Sequence, residues 1–306
     1  MSERWGDAVR RTFVASFVIV ALASAGWFAS MGHGDASHKW GKYHWAVTTR
    51  PTAAANFTVK LVDSVTGAWD GHLTTASRDW SLSPILDTAV VDGNNTQEVR
   101  TACSAVPGQV RVCNAEYGVN GWLGIATIWA TWGRYTHITQ GTVKNNDSYF
   151  NTPPHNTDDW RQFVMCQEIG HTFGLGHQNE VFNNVNTGSC MDYTNNPSGG
   201  VLNAFEYGQN NLKPNPHDFD MLASIYNHAD GSTTLAAGAA SSGAAQGQGA
   251  ANAADPDPSD AVPAGATARD GRVFVRDLGN GLHVISVVIW AEDFPGADAP
   301  GRLVKP

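Results

Sequence analysis

Apolar positions along the chain change period several times, and each change marks an element. "FTVKLVD" (57–63) and "LDTAVVDG" (86–93) are β-branched runs closed by turn residues, the composition of strands. Between them "WDGHLTTASRDWS" (69–81) spaces Trp69, Leu73, Ala76 and Trp80 so that all four share one face of an amphipathic helix. "QVRVCNA" (109–115), "LGIATIWA" (123–130) and "YTHITQGTVKNN" (135–146) predict further strands. A second helix is expected to start at the capping candidates Thr157, Asp158 and Asp159, after the Pro153-Pro154 break, and to stop at Gly174. The stretch 178–216 is rich in Asn and Gly without a period, so irregular chain is expected there. "HDFDMLASIYNH" (217–228) reads as a closing helix with Phe219, Leu222, Ile225 and Tyr226 on one face.

Three stretches depart from this texture. Residues 229–270 are Ala, Gly, Ser, Gln, Asp and Pro, which cannot bury enough apolar surface to fold, so a flexible linker is expected. "RVFVRDLGNGLHVISVVIWAED" (272–293) places two β-rich runs around Gly279-Asn280-Gly281, a hairpin. A lone hairpin is marginal in water and must dock on the main block, on a partner or on a copy of itself. At the other end Arg4, Arg10 and Arg11 precede an apolar run over 13–29 that contains Ala23-Ser24-Ala25. That is the pattern of an export signal cleaved after Ala25; it also approaches the ~20 residues that span a bilayer, so an uncleaved anchor is the rival reading. Either way the remainder lies outside the cytoplasm. The expected organisation is a signal peptide or membrane anchor (1–31), a folded domain (38–228), a linker (229–270) and a C-terminal β-hairpin segment (271–306).

Composition narrows the partners. Charged residues are 15% of the 306, below the ~25% of ordinary soluble domains, and the net charge is -9 without a Lys/Arg cluster. A nucleic-acid surface is therefore not expected. Cys103, Cys113, Cys166 and Cys190 suit an oxidising compartment and lack the C-x-x-C spacing of a thiolate metal site. Four cysteines allow three pairings; local sense favours Cys103 with Cys113 and Cys166 with Cys190.

The chemistry concentrates in "MCQEIGHTFGLGHQNE" (165–180). Gln167 and His171 are four apart on a helix and project from one face, with Glu168 beside them. Gly174 can break the helix and return His177 to the same point. Three ligands with a fourth position left for water or substrate make an open metal site, the catalytic kind. A divalent ion there, zinc by this pattern, would acidify its water, and Glu168 would accept the proton.

"QEIGHTFGLGH" followed by "SCMDY" resembles the metzincin clan of metalloendopeptidases, whose long zinc motif is followed by a methionine-containing turn. The likeness is close over 164–226 and extends in element order over 39–228. It looks most like the matrixins, and glutamine in the first ligand position is similar to the Q-E-x-x-H variant of gametolysin-like relatives. The resemblance implies an α+β catalytic domain with a twisted mixed sheet, an active-site helix, a Met-turn at Met191 and a C-terminal helix. It implies a protein or peptide substrate cleaved outside the cytoplasm by a secreted or membrane-anchored enzyme, Gln167, His171 and His177 on the metal, Glu168 as general base, and Tyr193 able to reach the metal or the oxyanion. No propeptide cysteine and no Ca²⁺ loop of the matrixin kind stands out.

Each residue has a plainer alternative. An amide oxygen binds zinc more weakly than imidazole, so other divalent ions compete, Gln167 could serve only as a hydrogen-bonding residue, or the site could be dead. Glu180 either orients His177 or is a solvated loop acid. Trp122, Trp129 and Trp132 read as core and rim, near the strand that the resemblance makes substrate-aligning. His137, His155 and His217 lack ligand spacing and read as surface or structural. The competing function is an inactive module that uses the cleft to bind at the cell surface. The hairpin tail is compatible with either as a sorting or docking element.

Overall fold

A computed structural model describes residues 38–39, 42–131, 136–236, 267–268 and 272–291. The N-terminal apolar run lies outside the described residues, as does the stretch 237–266 of the expected linker. No helix among the described residues is long and apolar enough to cross a membrane.

The chain opens with β1 (His44–Trp45), β2 (Phe57–Ser64), α1 (Gly67–Trp80), β3 (Leu86–Asp92) and α2 (Gln97–Ala102). It continues through β4 (Val110–Ala115), β5 (Trp122–Thr131), β6 (His137–Asn146), α3 (Asp147–Phe150) and α4 (Asp158–His171). After α4 come β7 (Gly200–Leu202), β8 (Phe205–Gly208) and α5 (Pro216–Ile225), then β9 (Thr267–Ala268), β10 (Val273–Gly279) and β11 (Leu282–Trp290). One twisted mixed sheet runs β3-β2-β4-β6-β5-β11-β10-β9, with β1 added alongside β6. Strands β3, β2, β4 and β6 are parallel; β5 runs against β6, and the strands beyond it continue antiparallel. The fold is therefore α+β with few helices.

The helical period over 69–81 does what it predicts: Trp69, Leu73, Ala76 and Trp80 are all buried in α1. Helices α1 and α4 touch each other and the sheet, so they share one face of it. Trp80 joins the layers, with its Nε1 donating to Cys166 O of α4 at 3.0 Å and its ring packed edge-on against Phe173.

The tail does not stand apart. Strand β11 pairs with β5 along its whole length, from Leu282↔Thr131 through Ile289↔Gly124 to Trp290↔Trp122. Of the three docking modes open to the hairpin, it takes the main block. Its turn is Asn280-Gly281, φ 53° and 74°, the pair of left-handed residues that a tight two-residue hairpin needs. Alternate β11 residues enter different layers: Ile285, Val287 and Ile289 join the core shared with the helices, while Val288 and Trp290 pack with Trp122 and Phe274 on the other face.

Elsewhere the expectations need correction. The irregular segment 178–216 holds the small β7–β8 hairpin, and α5 ends at Ile225 rather than 228. The first residues of the Ala/Gly-rich stretch are tied down, with Asp230 N–H on Val47 O, Thr234 N–H on Ala46 O and Ala236 N–H on Gly108 O. Composition cannot foresee that backbone groups of such a segment find partners on the loops beside β1 and β4.

Trp80→Ala removes a fully buried ring and a cross-layer hydrogen bond, so it should cost about 3–5 kcal/mol of stability. The denaturant midpoint reads this, and a loss below about 1 kcal/mol would show that α1 and α4 do not depend on that ring.

Candidate active site

Helix α4 starts where its capping residues put it: the Thr157 hydroxyl accepts Trp160 N–H at 3.2 Å, and Asp158 and Asp159 favour the positive helix end. From Gln162 onward every residue of α4 is buried. Two glycines make that closeness possible. A Cβ on Gly124 of β5 would lie 2.5 Å from Glu168 Oε1, and one on Gly170 would lie 2.5 Å from both Met191 Sδ and the Trp80 ring. The regular helix stops at His171 and tightens through Thr172 and Phe173 before the chain turns at Gly174, φ +95°. A Cβ at Gly174 would collide with Tyr43 O, so only glycine carries the chain round to His177.

The donors are oriented by hydrogen bonds on their far sides. Gln167 Nε2 donates to Cys190 O at 2.7 Å and Asp192 O at 3.1 Å, which fixes the amide and leaves Oε1 buried with no hydrogen-bond partner among the described residues. His171 Nδ1 lies 2.8 Å from Leu175 O. A carbonyl only accepts, so Nδ1 carries the hydrogen and Nε2 the lone pair. His177 Nδ1 lies 3.2 Å from Glu180 Oε1, which selects the same tautomer, and its Nε2 makes no hydrogen bond among the described residues. The two imidazoles stand perpendicular with centroids 4.6 Å apart.

Beside Gln167 on α4 lies a carboxyl group of unusual isolation. Glu168 is fully buried, and among the described residues neither oxygen has a hydrogen-bond partner of ordinary geometry. Burial raises its pKa well above the ordinary carboxylate value, and the nearby Ala126 N–H of β5 offsets this only in part. Burial, aided by the neighbouring His177, likewise holds His171 well below the usual imidazole value and therefore neutral, the form that binds metal. Buried polar atoms without partners cost about 1–3 kcal/mol each. Gln167 Oε1, His177 Nε2 and both Glu168 oxygens carry that cost together, and a divalent cation fits such a donor set.

The Cys166–Cys190 disulfide ties α4 to the turn that holds Met191, and Cys103–Cys113 closes the loop ahead of β4. Met191 is buried against Gly170; its N–H reaches Ser189 Oγ and its carbonyl accepts Gln178 N–H. Tyr193 stacks edge-on against His177 with centroids 4.5 Å apart, but its hydroxyl donates to Val288 O of β11 at 2.8 Å. Glu180 is resolved as an orienting residue. The hydrogen bond from His177 holds its carboxyl below the usual range, and it also pairs with Arg272 at 3.3 Å. Arg272 in turn lies 4.7 Å over the Tyr193 ring. Sequence reasoning missed Arg272 and Val288, because nothing in a strand pattern says which edge the strand joins. Trp122 and Trp129 are core residues, and Trp132 lies outside the described residues. His155 is buried against Trp160 and His217 stacks on His38, whereas His137 belongs to a polar cluster with Asp230.

No family model and no curated protein sequence matches the chain. Among solved structures it is similar to myroilysin at 14% identity and TM-score 0.31, over 62% of this chain and 96% of that one. It is similar also to high choriolytic enzyme 1, a hatching enzyme zinc-protease from the medaka fish Oryzias latipes, at 12% identity and TM-score 0.29, over 62% of this chain and 97% of that one. At so low a similarity, the chemistry open to this chain is set by its own side chains.

Gln167→Leu strands the Cys190 and Asp192 carbonyls. Metal-free protein carrying it should lose about 1–3 kcal/mol in chemical denaturation; an unchanged midpoint would mean that the amide does not hold the Met191 turn.

Proposed function

We propose that this chain is a metal-dependent endopeptidase of metzincin type, matrixin-like with a Q-E-x-x-H variant, acting outside the cytoplasm. One observation carries the reading: two imidazoles in the metal-binding tautomer, with ring centroids 4.6 Å apart, lie at the end of the helix that also carries a buried amide oxygen and a buried carboxyl. Gln167, His171 and His177 would hold the ion, and two disulfides support an oxidising compartment.

Zinc held by these residues would supply a Lewis acid and a water acidified to a pKa near 7. Glu168 accepts the proton of the attacking water and returns it to the leaving nitrogen; a carboxyl raised by burial is suited to both transfers. The Tyr193 hydroxyl, once released from Val288, donates to the developing oxyanion. Strand β5 offers main-chain pairing to an extended peptide. Glu180 keeps His177 oriented, and Met191 with Cys166–Cys190 supports the helix turn from beneath. A neutral amide donor weakens the hold on zinc relative to a third imidazole.

The test is peptide hydrolysis with and without chelator, run on the full chain and on a full chain bearing Ser286→Pro in β11, which loosens the strand over the site. Glu168→Gln in the hydrolysing chain should lower kcat by about 10²–10⁴-fold with metal content unchanged by elemental analysis; hydrolysis that survives it would sink this mechanism. Gln167→His should tighten zinc in competition with a chromophoric chelator, and unchanged affinity would remove Gln167 from the ligand set.

A further inference from the structure

Four side chains from three distant parts of the sequence meet at a second point. His44 belongs to β1, His137 opens β6, and His228 and Asp230 follow α5. Asp230 Oδ1 lies 3.4 Å from His44 Nε2, 3.1 Å from His137 Nε2 and 3.2 Å from His228 Nε2. The Nε2 atoms of His44 and His228 are themselves 3.0 Å apart. His44 Nδ1 sits 2.6 Å from Lys42 O, and its Nε2 faces the carboxylate at 3.4 Å. The Asp230 side chain is 1% exposed, and its Oδ2 accepts Val47 N–H at 2.9 Å. Burial works to raise the Asp230 pKa, but the Val47 N–H and the His44 imidazole outweigh it and keep the group ionised. Three imidazole nitrogens around one carboxylate oxygen call for protons or a cation among them.

We propose that His44 Nε2, His228 Nε2 and Asp230 Oδ1 form a second divalent-metal site, of zinc type, that shares no residue with the α4 centre. Bonds of about 2.0–2.1 Å in tetrahedral geometry separate ligand atoms by about 3.3 Å, and the observed separations are 3.0, 3.2 and 3.4 Å. His137 holds the carboxylate oxygen from its other side. His228 is 40% exposed, so the ion enters from solvent and a water completes its shell. The site fastens β1 to the chain after α5, and both flank the turn that delivers His177. Trp45 Nε1 donates to Thr172 O at 2.9 Å, and Tyr226 OH, which accepts Trp45 N–H, donates to Phe173 O at 2.9 Å.

Full-length protein stripped with chelator and reloaded with zinc alone decides the matter by elemental analysis after gel filtration. In a His171→Ala background one zinc equivalent should remain and should raise Tm. Adding His228→Ala, a half-exposed change that folding tolerates, should abolish both. If His171→Ala does not fold, His228→Ala and Asp230→Asn in the native chain should each lose one equivalent. Equal zinc content with and without His228 and Asp230 overturns the site and leaves a network held by shared protons.

A second inference rests on the peptidase reading and on a different observation. Gln167, Glu168, His171 and Tyr193 expose no surface. Strand β11 lies antiparallel along β5, the Val288 carbonyl takes the Tyr193 hydroxyl, and Arg272 at the foot of β10 pairs with Glu180. We infer that the β10–β11 hairpin is an internal blocking strand, occupying the edge on which an extended peptide would pair and keeping the enzyme latent. Ser286 is fully buried at the centre of β11, opposite Thr127, so Ser286→Pro in the full chain breaks the pairing from within. Hydrogen exchange at β5 amides verifies release. With the strand released, peptide hydrolysis should rise at least tenfold, and a fluorescent extended peptide should bind the Glu168→Gln form. Equal hydrolysis in both chains overturns the blocking strand alone. Peptide binding without hydrolysis in the released chain supports the blocking strand and overturns the peptidase reading, whereas neither binding nor hydrolysis overturns both.

Discussion

The last turns of α4 are packed so closely on three sides that glycine is required wherever another element crosses them. Gly124 brings the β5 backbone onto Glu168, Gly170 seats Met191 and the Trp80 ring, and Gly174 passes beneath Tyr43 O. Trp80 clamps the helix through Cys166 O, and the neighbouring sulfur is bonded to Cys190. The position of every candidate ligand follows from this packing. Gln167 is aimed by the turn around Met191, His171 by Leu175 O beyond the helix end, and His177 by the chain that Gly174 releases. A single added methyl at any of the three glycines would have to move one of these partners.

Such rigidity is costly where polar atoms are left without hydrogen bonds. Most buried polar groups in a folded protein find a partner, and around this helix the Gln167 amide nitrogen, His171 Nδ1 and His177 Nδ1 are all bonded. Among the described residues Gln167 Oε1 and His177 Nε2 are left without a hydrogen bond, where chemistry would take place. The core of tryptophans and the two disulfides offset the penalty from elsewhere, a division of labour common to preorganised sites.

Much of this was legible in the residues. The face of α1, both ends of α4, the two disulfides and the tail hairpin each follow from local rules, because period, capping, loop closure and an Asn-Gly turn act over a few residues. The tautomers of the candidate ligands were not legible, since they depend on Leu175 O and on the Glu180 carboxylate reaching His177. Nor was the place of β11: alternation identifies a strand, but any edge with a matching register would accept it. The cluster of His44, His137, His228 and Asp230 left no spacing signal at all. Its members come from three elements that only the finished sheet brings together, and His137 read as structural because spacing within one segment was the only test available.

The sheet edge joins these threads. Strand β5 meets α4 at Gly124 and therefore borders Glu168 directly, so whatever pairs with β5 also roofs the site. In this chain that partner is β11, whose two faces are buried in separate clusters and whose backbone takes the Tyr193 hydroxyl. An antiparallel edge strand is recognised through main-chain hydrogen bonds, and these do not distinguish the chain's own tail from another peptide. Under the proposed peptidase function, tail and substrate would compete for one row of N–H and C=O groups. The tail holds the advantage of attachment, because a tethered strand meets its edge at a high effective concentration. The same geometry that would align a substrate thus makes the fold its own first occupant.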